Sequence, residues 1–209
     1  MQHVSIDLVV TEYHICVRSA DGQVLEERKV ATTRLEAFLR KQPTSRVVLE
    51  TCSEAFRIAD SAASCGHEVR VVPATLVRSL GVGARGIKTD RRDAQVLSEV
   101  YYRIDLPSVH VPTDLARERR SMCGMREELV STRTALINCV RGWARTQLMK
   151  IRTGDVMTFP KRVRDGALGT GSGLPEYVER LLLVIQTLSE QVAHADKELE
   201  QLAEQDPVC

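Results

Sequence analysis

Four acidic side chains stand where an acid is costly unless it is used. Asp7 lies inside Val4-Ser5-Ile6-Asp7-Leu8-Val9-Val10, the first and most apolar strand pattern. A carboxylate there is poorly solvated and calls for a cation or a hydrogen-bonding partner. Glu50 follows Val47-Val48-Leu49 at the end of another apolar strand, and ligand-facing residues concentrate at such strand ends in open α/β sheets. Asp90 and Asp93 are three apart at the start of a helix pattern, so they share one face. Singly, each acid has a plainer reading, Asp90 as a helix cap and Glu50 as a solvated strand end. As a set they suit hard divalent cations, Mg²⁺ or Mn²⁺. Two such ions about 4 Å apart can activate a nucleophile and stabilise a leaving oxygen in phosphodiester chemistry.

Charge is distributed to match. The net charge is +1 overall, but residues 1–75 carry −1, residues 76–165 carry +8 and residues 166–209 carry −6. A basic middle segment suggests a polyanionic partner, and a nucleic-acid backbone is the polyanion that fits phosphodiester chemistry. Lys88, Arg91 and Arg92 interleave with Asp90 and Asp93, and Arg85 precedes them; these four are the candidate phosphate-pairing groups. The six cysteines form no C-x-x-C pair and the five histidines no H-x-x-x-H, so zinc is not expected. Scattered thiols read as reduced, in the cytoplasm. The N-terminus lacks the basic region of a secretory signal, and no apolar run approaches a membrane span.

The elements that must position these acids follow from periodicity. Residues 3–9, 13–19 and 24–30 read as strands, with Asp21-Gly22 as the hairpin turn between the second and third. Thr33-x-x-Glu36 reads as a capping box opening a helix with Leu35, Phe38 and Leu39 inward. Residues 46–50 form a buried strand, Ser53 caps a helix ending at Cys65-Gly66, and residues 68–72 form a strand stopped by Pro73. The order is βββαβαβ, then a helix near Asp90 with Ala94, Leu97, Tyr101 and Ile104 on one face. Pro107 and Pro112 flank the expected boundary, giving domains of 1–106 and 107–209.

Beyond residue 113 the pattern changes. Leu115, Met122, Leu129, Leu136 and Trp143 recur every seven residues, with Met125 and Cys139 at the d spacing. Val178, Leu181, Ile185, Leu188, Val192, Ala195, Leu199 and Leu202 alternate by three and four. Both runs predict long helices of a coiled-coil region, packed on each other or on a second subunit. Residues 151–175, rich in glycine and proline, read as a linker without secondary structure.

Val-Ser-Ile-Asp7, Leu-Glu50-Thr, Val71-Val72-Pro73 and above all Lys88-Thr89-Asp90-Arg91-Arg92-Asp93-Ala94 resemble the DEDD transposases of bacterial insertion sequences, relatives of the pilin-gene invertases. The resemblance covers the N-terminal half in order. It implies an α/β RNase H-like (RuvC-like) domain followed by an α-helical coiled-coil region. It also implies a tetrad of Asp7, Glu50, Asp90 and Asp93 binding Mg²⁺, with DNA and a structured guide RNA as partners and self-association through the coiled coil. Members continue into a C-terminal transposase domain, and this sequence stops about where that domain would begin. A non-catalytic, dimerising DNA- or RNA-binding module is therefore the alternative to a DNA recombinase. Two further readings are weaker. Gly81-Val-Gly83-Ala-Arg-Gly86 matches a dinucleotide fingerprint but has no strand directly before it. A sugar-kinase-like ATPase shares the opening strand order, but its phosphate loop is missing after Asp7.

Overall fold

The computed structural model describes residues 1–8, 12–79, 98–104, 106–169 and 173–205. The chain divides into two compact units, Met1–Pro112 and Thr113–Cys209.

The first unit is built on a five-stranded sheet. Its strands are β1 (Gln2–Leu8), β2 (Glu12–Arg18), β3 (Val24–Ala31), β4 (Ser45–Glu50) and β5 (Glu68–Val72). Their spatial order is β3-β2-β1-β4-β5. The β1–β2 and β2–β3 pairs are antiparallel, whereas β1–β4 and β4–β5 are parallel. Alternation of side chains sorts the sheet into two faces. Val4, Ile6, Ile15, Val17, Val47, Leu49 and Val71 pack with Leu35, Phe38 and Leu39 of helix α1 (Leu35–Leu39) and with Ala55, Ile58, Ala59 and Ala62 of helix α2 (Ala55–Ser64). The intervening residues Ser5, Asp7, His14, Cys16, Arg18, Val48, Glu50, Arg70 and Val72 form the opposite face, which is largely polar. This mixed α/β sheet with helices fits the expected RNase H-like class.

Local signals account for most of these elements. Gly22 adopts φ +88° in the β2–β3 turn, and Gly66 adopts φ +84° just past the end of α2. Both are backbone conformations that favour glycine. His67 ties the layer together: its Nδ1 accepts from the Ser45 N–H at 3.2 Å, and its Nε2 lies 3.0 Å from the Leu39 carbonyl. Two expected caps do not form. Thr32–Arg34 make a 3₁₀ turn, α1 starts at Leu35, and Glu36 pairs with Arg40 instead of reaching back. Glu54, not Ser53, is the residue before α2, and its carboxylate accepts from the Tyr13 hydroxyl at 2.7 Å. The expected connector also belongs with the sheet: Val109 N–H donates to the Val71 carbonyl at 2.8 Å, and Val109 and Val111 pack on the core. That segment covers the β5 edge, which would otherwise expose unpaired backbone groups.

After β5 the chain forms helix α3 (Ala74–Ser79), and residues 98–103 are helical, here α4. Tyr101 and Leu106 pack with Val48 and Val72 on the polar face of the sheet, whereas Ile104, expected on the same inward face, is exposed.

The second unit contains helices α5 (Asp114–Thr146), α6 (Phe159–Gly169) and α7 (Glu176–Glu204). Thr113 caps α5 by accepting from the Ala116 N–H at 3.2 Å. The pairs Arg126–Asp196 and Trp143–Tyr177 show that α5 and α7 run antiparallel. The α7 stripe is inward as expected, with Val178, Ile185 and Val192 buried, and Leu182 and Ser189 join it. On α5 the d positions are corrected. Met125 is 71% exposed and Cys139 is exposed, while Arg126, Arg133 and Val140, one residue further on, face inward. An α-helix turns 3.6 residues, so an apolar stripe fixed at seven drifts, and the seam settles where Ile137, Val140 and Ala144 can pack.

The expected linker is also corrected. Residues 159–169 form a helix, because Pro160 lies in its first turn, where no backbone N–H is required. Phe159, Val163 and Ala167, four apart, bury one stripe against Val178, Leu182 and Ile185. Gly166 lets the Lys150 carbonyl approach, since a Cβ there would meet it at 3.3 Å.

Candidate metal centre on the sheet

The parallel register of β1 and β4 pairs Ile6 with Leu49. The next residue on each strand is Asp7 and Glu50, so the two carboxylates leave adjacent strands side by side at the same end of the sheet. Both are half-buried. The end of β4 is laced to that of β5, because the Thr51 N–H donates to the Val72 carbonyl at 2.8 Å and Thr51 Oγ1 accepts from the Ala74 N–H at 2.9 Å. These bonds hold Glu50 on a rigid strand end. Sequence reading gave Thr51 no role.

A second residue was also missed. His14 stands directly across from Asp7 in the antiparallel β1–β2 ladder, on the same face, and is buried.

Asp90, Asp93, Arg85, Lys88, Arg91 and Arg92, with the Gly81–Gly83–Gly86 loop, lie outside the described residues. Among the described residues no group of three or more His, Cys, Asp or Glu could hold a metal ion. Two of the four expected acids are thus brought together. Their hard oxygen donors, presented from neighbouring strands, fit a divalent cation of the Mg²⁺ type.

Helix α4 reaches the same face. Arg18 Nε donates to Ser98 Oγ at 2.7 Å, and Ser98 Oγ lies 3.3 Å from Cys16 Sγ. Burial raises the Cys16 thiol pKa, outweighing the bond from Ser98. Tyr102 meets the His3 ring edge-on, with centroids 5.6 Å apart, and closes over Gly22. Cys16 is the β-ladder partner of Ser5. The helix therefore descends from the level of Ser5 to that of His3, opposite to the direction of β1. Its N-terminal side faces the Asp7 end.

Residues 4–146 match a family model described as transposase, the DEDD transposases of the IS110 type. Among curated proteins, the chain is 25% identical over 203 residues to the transposase for insertion sequence element IS1328 of Yersinia enterocolitica, covering 94% of this chain and 58% of that protein. It is 21% identical over 209 residues to the transposase for insertion sequence element IS1111A of Coxiella burnetii, covering 99% and 57%. It is 31% identical over 126 residues to the y4pF/y4sB product of Sinorhizobium fredii, which carries a transposase name, covering 60% and 32%. The chain thus spans between a third and three fifths of the length of these relatives.

Proposed function

The chain belongs to the IS110-type DEDD transposase family, and on that premise we propose that it acts in DNA strand cleavage and exchange for an insertion sequence, through Asp7, Glu50, Asp90 and Asp93. The observation that carries this reading is the pairing of Asp7 with Glu50 across two parallel strands. Mg²⁺ or Mn²⁺ held by the four acids would activate a nucleophile and stabilise a leaving oxygen. The protein's own part is to present the carboxylates without reorganisation: β1 and β4 fix two of them, and the Thr51 bonds lock the end of β4. Asp90 and Asp93 complete the proposed set. Arg85, Lys88, Arg91 and Arg92 would then pair with backbone phosphates beside the acids. DNA and a structured guide RNA are the proposed polyanions, and the cytoplasm the proposed location. No described helix is long and apolar enough to cross a membrane.

The test is a thermal shift with Mn²⁺ on the full chain. Wild type should be stabilised, and Asp7→Asn and Glu50→Gln should each lose the shift while keeping the fold by circular dichroism. An undiminished shift in both variants would sink the assignment. The second reading is a binding module without turnover. Mn²⁺-dependent nicking of supercoiled plasmid, abolished by Asp7→Asn, would decide for the enzyme.

A further inference from the structure

The geometry points to a second contact for a nucleic-acid backbone, at the end of the α5–α7 hairpin where α6 is inserted, formed by Arg141, Arg145, Arg152 and Lys161 around Arg162. The inference rests on the reading of the chain as a nucleic-acid-binding protein, and it deepens that reading with a site that none of the acidic residues touches.

Between residues 141 and 162 there are six basic side chains, Arg141, Arg145, Lys150, Arg152, Lys161 and Arg162, against the single acid Asp155. Elsewhere in the second unit, four arginines are paired with carboxylates of the chain: Arg117 with Asp114, Arg126 with Asp196, Arg164 with Glu179 and Arg180 with Glu176. Among residues 141–162 no such pair is formed with a described residue. Arg141, Arg145, Lys150, Arg152 and Lys161 are exposed, and none has a carboxylate partner among the described residues. The Asp155 carboxylate is turned back to accept from the Met157 N–H at 2.7 Å.

The cluster is also organised. The Arg141 and Arg162 guanidiniums lie over the Phe159 ring, 5.6 Å and 5.7 Å from its centroid. Arg162 donates to the Arg152 carbonyl, to that of Gly154 at 3.0 Å and to that of Asp155 at 2.6 Å. The loop carrying Arg152 is thereby pinned beside α6. Arg145 follows Arg141 by one turn on the same face of α5. Guanidiniums held in fixed directions around a packed ring suit the bidentate geometry of phosphate. The ligand class is the phosphodiester backbone of a double helix.

The test measures fluorescence anisotropy of the full chain with a labelled DNA duplex and a labelled RNA stem of unrelated sequence, across a salt series. The triple variant Arg141→Gln, Arg145→Gln, Arg152→Gln should lose about tenfold or more in affinity, and its log–log salt slope should fall by about 2 to 3. Arm-specific loss would tell DNA from RNA as the source of the backbone. A control removes the same charge at Arg28, Arg40 and Arg180, each already paired with a glutamate. An equal loss in the control, or unchanged affinity in the folded triple variant, would overturn the site. So would a triple variant that keeps nucleic-acid binding but loses binding to phosphatidylserine vesicles. The measurement is made without divalent cation, so failure of the metal reading leaves this result legible.

Discussion

His3 sits at the opposite end of β1 from Asp7, on the same face, and shows how that face tolerates polar groups. Burial holds its imidazole pKa below the ordinary 6.5, helped by the Arg46 guanidinium and the N-terminal ammonium, with Glu68 pulling the other way. Burial alone would raise the Glu68 carboxyl, but bonds from Arg46 and Arg70 outweigh it and bring it down. The fold therefore prefers neutral His3, and the unfolded chain takes up that proton more readily. Stability should be full above pH 6.5 and decline as pH falls through the lowered folded value. Urea melts between pH 7 and 5 should show this decline, and His3→Gln should flatten it. An unchanged pH slope in that variant would assign the effect elsewhere. At this scale Asp7 and Glu50 were legible in the sequence, because a charge inside an apolar strand announces itself. His14 and Thr51 were not: a histidine and a threonine carry no such conflict, and their roles come from register.

At the scale of elements, alternation and the Asp21-Gly22 turn gave the strand order because each strand buries only one face. The failures share a cause. Thr33, Ser53 and the glycines of 151–175 were read by local preference, and neighbouring packing overrode it. Helix α6 is the clearest instance: proline and glycine suggested a break, but Phe159, Val163 and Ala167 supply the stripe that holds the helix on α7. Phe159 is fully buried and also seats two guanidiniums. Phe159→Ala should cost about 3–5 kcal/mol, read as a lower denaturation midpoint. Phe159→Leu should recover much of that loss but not the ring contact with Arg141 and Arg162. If Phe159→Ala melts like wild type, α6 is not anchored as described.

At the scale of the whole molecule, the seven-residue repeat foresaw two long helices but not which side each would present. Leu188 is half-buried on the α7 face that meets α5, so it serves the chain's own packing. We propose that any self-association uses the outer side of α7, where Leu183 is 63% and Val184 46% exposed. Leu183→Glu with Val184→Glu should lower the apparent mass on a sizing column without loss of helicity. An unaffected elution volume would remove this face as the interface.

Because α5 and α7 run antiparallel, the start of one lies beside the close of the other, and α6 lies at one end of a rod. With 33 residues in α5, that rod is about 50 Å long. Spacing follows: within this unit the arginines at the α6 end lie nearly the whole length of α5 from its capped start at Thr113, more than about ten base-pair steps measured along a duplex.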